Sequence, residues 1–322
     1  MGSIVIMLKQ AIRLGVVFLY GSTGETIIEK SGHLNLGIPG IMCMGGVGGC
    51  MGAYWAYQNP NCSASVIVLA GVLMAMLFGG LGGLLYGFFT ITMRCNQNVT
   101  GLTLTTFGAG VLGFWGTQMG DKEILFAPTS RFAFTPSLFF GTQVPDDWFS
   151  TIFLSHGILV YLGIIIAIVV AIFFNHTRLG LALRAVGENP AAADAAGINV
   201  IAHKYIACVL GAAIAGIGGA FYLLDCTRGS LEYVVDAMGW LAVALVIFSL
   251  WRPGIGIFGS FIFGFCYILP QYIEGVSTAE KELLKVIPYA VTALVLIIIS
   301  FFNKRETQPP ASLGLPYFRE DR

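Results

Sequence analysis

An all-α, polytopic integral membrane protein is the fold class this sequence predicts, with about 8–10 membrane-spanning helices, glycine-rich packing and at least one broken helix. Three observations carry that prediction. Charged residues make up 11% of the 322 positions and hydrophobic residues 56%, where a soluble domain of this size carries roughly 25% charged residues. The mean hydropathy is +0.81, and the apolar residues fall in blocks of about 18–25, the length a helix needs to cross roughly 30 Å of hydrocarbon. The 42 glycines are patterned: Gly79, Gly83 and Gly87 recur every four residues, as do Gly45 with Gly49 and Gly48 with Gly52, spacings that let helix backbones approach closely in lipid. The runs are continuous and lack the ten-residue alternation of barrel strands.

Taken in order, the apolar blocks predict spans over 37–57, 64–90, 99–119, 152–174, 203–224, 238–250, 254–273 and 283–302, with 4–22 as a further candidate. The N-terminal run has no clean small-residue cleavage site and reads as mature protein. The 238–250 block is short, and Trp251-Arg252-Pro253 separates it from the next, so these two are full crossings or a bent pair of half-helices. Residues 1–302 form one membrane domain and 303–322 a short tail. Basic residues in short loops set the orientation. Arg178, Arg184 and Lys204 in 175–204, and Lys304, Arg305, Arg319 and Arg322 in the tail, place both on the cytoplasmic side. Arg94 follows inside. The 120–150 loop, where Asp121, Glu123, Asp146 and Asp147 outnumber Lys122 and Arg131, falls outside, as does 225–237. Lys9 and Arg13 conflict with this count unless the first segment lies in the interface or an irregular element interrupts 21–40.

Three stretches carry chemistry. In Gly24–Gly40, Glu25 and Glu29 stand one helical turn apart, with Lys30, His33 and Asn35 following. Charges near a membrane-embedded segment are costly unless paired or wetted, and Gly37, Pro39 and Gly40 break the helix there, as helices lining transporter cavities are broken; a plain loop before span 37–57 is the other reading. In Arg184–Asn199, Asn189 can cap a helix starting at Pro190, alanines favour helix and Gly197 ends it. The product is a short, small-residue helix suited to a partner's groove, or else a simple connection. In Asn96–Gly108, Thr103 shares a helix face with Thr100 and Thr106. Those hydroxyls either bond back to their own helix or, with Asn98, line a polar path.

The composition also excludes. The charge balance of 17 basic against 17 acidic residues gives no basic face for nucleic acid. The seven cysteines are scattered without a CxxC pair, so no disulfide framework or metal site is expected. Gly254-Ile255-Gly256-Ile257-Phe258-Gly259 fits GxGxxG but lacks a βαβ context. No GxxxxGK[ST] phosphate loop, HExxH or GxSxG occurs, and no catalytic residue or cofactor is expected.

Gly24–Gly40 resembles the "GE…E+SG…NLG…G" signature of the branched-chain amino acid/ribose-type ABC permeases, and Gly187–Gly197 resembles their cytoplasmic coupling segment, "GENP-AA…AGI". Gln97–Gly101, the run from Gly239 to Leu245 leading to Trp251-Arg252-Pro253, and Leu313–Tyr317 look like the simple-sugar/nucleoside branch, whose receptors are basic-membrane-protein lipoproteins. The resemblance runs from about residue 20 to the C-terminus. It departs at Pro39, where an acidic residue is expected in many members.

The resemblance implies a permease of an ATP-driven nucleoside importer in a bacterial plasma (inner) membrane, with a cytoplasmic C-terminus. Its partners would be a homologous second permease, a cytoplasmic ATPase with two nucleotide-binding halves, which alone binds ATP, and an extracytoplasmic lipoprotein that delivers the solute. Coupling would fall to Gly187, Glu188, Asn189, Pro190, Ala193, Ala196 and Gly197 within segment 184–199. Candidate path residues are Glu25, Glu29, Asn35, Asn98, Thr100 and Thr103. The rival readings are an ion-gradient-driven transporter, for which Glu25 and Glu29 are the carboxylates to use, and a membrane enzyme, for which no His/Asp/Glu cluster stands in the spans.

Overall fold

A computed structural model describes residues 3–120, 147–227, 235–273, 277–302 and 308–318, with isolated residues between. The charges that orient 120–150 (Asp121, Lys122, Glu123, Arg131, Asp146) and the tail (Lys304, Arg305, Arg319, Arg322) lie outside the described residues, apart from Asp147. The chain order is α1 Ser3–Lys30, α2 Ile38–Tyr57, α3 Ala64–Gly87, α4 Gln97–Gly120, α5 Ile158–His176, α6 Arg178–Glu188, α7 Pro190–Ala195, α8 Val200–Phe221, α9 Val235–Phe248, α10 Pro253–Ile268, α11 Thr278–Leu284 and α12 Ile287–Phe302. The described elements are helical, as the composition predicts. α1 and α5, and α3, α8 and α10 with the π or 3-10 turns that extend them to Thr92, Cys226 and Tyr272, are long and apolar enough to cross a bilayer. α2 and α4, at 20 and 24 residues, have the length.

Glycine sets the centre of the bundle. α2, α3 and α8 pack together with α1 around them. A Cβ on Gly45 would overlap the Gly216 backbone, one on Gly219 the Met42 carbonyl, and one on Gly83 the Cys208 carbonyl. The four-residue glycine rows therefore serve close helix approach, where dispersion between backbones replaces a hydrophobic drive that lipid does not supply. π-helical turns extend α3 (Phe88–Thr92) and α8 (Tyr222–Cys226).

The sequence-predicted boundaries shift most at three places. The span predicted from 152 begins at Ile158, after a π-helical turn over Ser150–Leu154 and a short turn that holds His156. The 4–22 segment does not stop at 22: α1 continues to Lys30, about 42 Å at 1.5 Å per residue. The break also falls earlier than the Gly37–Gly40 expected from composition. Gly32, at φ +88, ends α1, while Pro39 and Gly40 lie in the first turn of α2, where a missing N–H is tolerated. The irregular stretch is 31–37. At the other doubtful point, α9 and α10 are a bent pair. α9 has 14 residues, about 21 Å and short of a bilayer crossing, and Leu250 and Trp251 both adopt φ 56 at the bend before Pro253 opens α10.

The misfit of Arg13 with the charge count has a local cause. Its guanidinium pairs with the carboxylate and backbone carbonyl of Asp225 at the end of α8. The start of α1 thus sits on the same side as 222–226, and a paired arginine is no longer a free topogenic charge. The break, α6–α7 and the 308–318 tail gather at the opposite end.

Candidate functional site

At that end the chain builds one polar junction. α1 delivers Glu25 and Glu29, 0% and 4% exposed. The Glu25 Oε1 accepts the Asn35 N–H at 3.2 Å, and the two carboxyls meet one turn apart. The Trp251 indole N–H, turned inward by the left-handed bend, donates to Glu29 Oε2. Asn35 Oδ1 accepts the Gly37 N–H at 2.9 Å and closes the turn that launches α2. The Leu34 N–H donates to Gln97 Oε1 at 2.8 Å, and the Tyr86 hydroxyl donates to the Leu34 carbonyl at 2.7 Å. Broken backbone is tolerated at membrane depth because such groups satisfy it. Thr23 Oγ1, Glu25 Oε2 and Asn35 Nδ2 are buried without a further partner. Each such group costs on the order of 1–3 kcal/mol, which marks the break as a place where a rearrangement is cheap.

The 184–199 segment abuts this break. Asn189 caps α7 through its Oδ1, which accepts the Ala192 N–H at 3.0 Å, and Gly197 ends the turn at φ +85, both as the sequence predicts. Gly187 is buried against α1, and a Cβ there would overlap the Lys30 carbonyl. The Lys30 ammonium lies in the mixed field of Glu188, Arg184, Arg252 and Glu29. The tail then straps the two parts together. Ser312 donates its N–H and hydroxyl to the Gly187 carbonyl at 3.0 and 2.5 Å, the Gly314 N–H donates to the Gly32 carbonyl at 3.2 Å, Gln97 Nε2 donates to the Leu315 carbonyl at 3.5 Å, and the Tyr317 hydroxyl donates to Asp194 Oδ2 at 2.8 Å.

The candidate coupling set divides by exposure. Gly187 and Ala193 face inward, Pro190 is half-buried, and Glu188, Asn189, Ala196 and Gly197 are exposed. The candidate path set divides too. Glu25, Glu29 and Asn35 come together, while Asn98 and Thr103 lie exposed on α4 with Thr100 beside them. Thr100, Thr103 and Thr106 donate back to the Asn96, Val99 and Leu102 carbonyls, which leaves each hydroxyl oxygen able to accept a further hydrogen bond. Thr105, on another face, donates to the Leu36 carbonyl at 2.8 Å and ties α4 to the break. Pro39 packs against α9, where a Cβ on Gly239 would overlap it. Trp251, Tyr86 and Ser312 lie outside the sequence-predicted site residues. Their partners stand 222, 52 and 125 residues away, and the only sequence signals near them are the Trp251-Arg252-Pro253 and Leu313–Tyr317 stretches.

A glycine-packed helical bundle with a broken helix held against a peripheral loop helix is an all-α, polytopic membrane protein. Over residues 7–299 the chain matches the family described as branched-chain amino acid transport system / permease component, and it belongs to that family. The putative glucose ABC transporter permease protein TsgC13 of Haloferax volcanii is 29% identical over 278 residues, 85% of this chain and 79% of its own. The nucleoside ABC transporter permease protein NupC of Lactococcus lactis is 26% identical over 305 residues, 94% and 93% of the two chains. The guanosine ABC transporter permease protein NupQ of Bacillus subtilis is 28% identical over 318 residues, 93% and 92%.

Proposed function

We propose that this chain is the translocation subunit of an ATP-driven nucleoside importer in a bacterial plasma membrane, with a cytoplasmic C-terminus. ATP is bound by a separate ATPase with two nucleotide-binding halves, and an extracytoplasmic lipoprotein delivers the solute. The observation that carries the mechanism is the direct seating of Gly187 on the end of α1 at Lys30, with the tail bonded to both Gly187 and Gly32. An ATPase that docks on the exposed Glu188, Asn189, Ala196 and Gly197 pushes on α7. The push passes through Gly187 to the 31–37 break and reopens the hydrogen bonds around Glu25, Glu29 and Asn35. Two of the three relatives named above are nucleoside or guanosine permeases. A neutral, hydroxyl-rich solute suits a path with no ring of charge, bounded by the exposed α4 face of Asn98, Thr100 and Thr103 and by a homologous second permease packed against it.

The test uses exposed positions, because Gly187→Arg would disrupt the junction whatever its role. Glu188→Lys with Ala196→Arg is expected to abolish ATP-dependent uptake of radiolabelled guanosine and co-purification of the ATPase, while the chain still accumulates in the membrane. Full uptake in that variant would remove the docking assignment. The buried carboxyl pair favours one other reading, ion-coupled transport. Uptake that survives ATP depletion and collapses with an ionophore would establish it instead.

A further inference from the structure

Beside the junction lies a small cavity of about 40 Å³ lined by His33, Thr90, Arg94, Ile201, Lys204 and Tyr317. Its chemistry is one-sided. Lys204 is 2% exposed, and the contact recorded for its ammonium is the Tyr317 ring, 5.9 Å away. The Arg94 guanidinium lies 4.7 Å over the Phe318 ring. Among the described residues neither cation forms an ion pair. His33 is 2% exposed, and its Nδ1 has no hydrogen-bond partner. Among the described residues that line the cavity there is no carboxylate. A buried ammonium without a counter-charge is strongly unfavourable. The backbone is also spent on this arrangement, since Arg94 is held at φ 56 after the π turn that ends α3, a conformation uncommon for a residue with a side chain. The start of α8 forms one wall through Ile201 in its first turn and Lys204 in its second, and the N–H groups of the first turn favour negative charge.

From this we infer that the cavity is a phosphate-binding site. Its volume admits roughly three water-sized groups, enough for the oxygens of one phosphate with the fourth substituent directed outward. Arg94 and Lys204 supply the charge, and His33 supplies a ring nitrogen for a hydrogen bond. The lining is apolar on one side, where Ile91 stands beside Ile201, and Ile201 is 55% exposed. A basic pocket between membrane helices with an apolar rim is where an anionic phospholipid headgroup docks; free phosphate offers the same chemistry without the tails. Because Tyr317 and Phe318 of the tail close over the cations, an occupied site also holds the strap down.

The full-length chain, purified in a neutral detergent and stripped of lipid, is tested by native mass spectrometry with phosphatidylglycerol, phosphatidylcholine or inorganic phosphate added. One phosphatidylglycerol per chain is expected, retained in preference to phosphatidylcholine. Arg94→Gln with Lys204→Gln should weaken it roughly 30-fold, at about a factor of five per cation, and Arg178→Gln should leave it unchanged. Binding of inorganic phosphate that excludes the lipid would keep the site and assign it to the free ion. If wild-type protein binds neither phosphatidylglycerol in preference to phosphatidylcholine nor inorganic phosphate, the proposal is wrong, whether or not the variants fold. Undiminished binding in a folded double variant would overturn it as well.

Discussion

Glu29 and Trp251 are joined by one hydrogen bond that links two breaks in the backbone. Trp251→Phe keeps the packing and removes the donor, leaving a buried carboxyl without it. A buried acceptor left without its donor costs about 1–3 kcal/mol, so thermal unfolding in detergent should show a clear drop, and Glu29→Gln, which keeps an acceptor, a smaller one. His156, outside the spans, makes a pH prediction. Burial, reinforced by Lys9 and Arg13, lowers its pKa to about 4 despite the bond between Nε2 and the Ile152 carbonyl at 2.8 Å. The unfolded chain then binds the proton first, so stability is full above about pH 6.5 and is lost as pH falls toward 4, by roughly 3 kcal/mol from this group. Melting His156→Gln and the wild type at pH 7.5 and 4.5 checks this: the variant should lose less on acidification.

At the scale of elements, the bundle's tolerance of side chains should follow backbone approach. Gly216→Ala places a methyl against the Ala75 carbonyl, Gly79 and Gly45, and overpacking of this kind costs typically 1–3 kcal/mol. Gly110→Ala on α4 meets nothing within 4 Å, and alanine is the better helix former by about 1 kcal/mol. Melting temperatures of the two variants should therefore move in opposite directions. The helices were largely legible because lipid imposes a length and a continuous apolar run on each of them. The α7 helix was legible through local signals, Asn189, Pro190 and Gly197. The extension of α1 to Lys30 was hidden, because Gly21, Gly24 and the two glutamates read as the end of an apolar block. Only burial against α8 and α9 shows why the helix continues: Gly24 packs on Gly211, and Gly21 on Ala242.

Over the whole molecule, five stretches scattered from residue 24 to residue 317 converge on one end of the bundle, and a linear reading cannot display that convergence. The sequence holds Glu25, Glu29 and Asn35 within one stretch, yet Trp251 joins Glu29 directly, and Gln97 and Ser312 join the junction through Leu34 and Gly187, by bonds that leave no periodic trace. The tail gives the test at this scale. A chain ending at 307 loses the bonds to Gly187, Gly32 and Asp194, and it should still insert while guanosine uptake falls at least about tenfold, the effect of losing a net 1.4 kcal/mol or more across several hydrogen bonds. Normal uptake by that truncated chain would show that the strap is dispensable.

The indole of Trp251 has one more consequence, which is optical. Of the five tryptophans, Trp55 and Trp148 are more than half exposed and Trp251 is 7% exposed, with its ring nitrogen on a carboxyl. An excited indole responds to a neighbouring carboxyl and to the polarity around it. With the other four changed to phenylalanine, Trp251 becomes an unlabelled emitter at the junction, and its wavelength and lifetime would register each turn of the transport cycle as it happens.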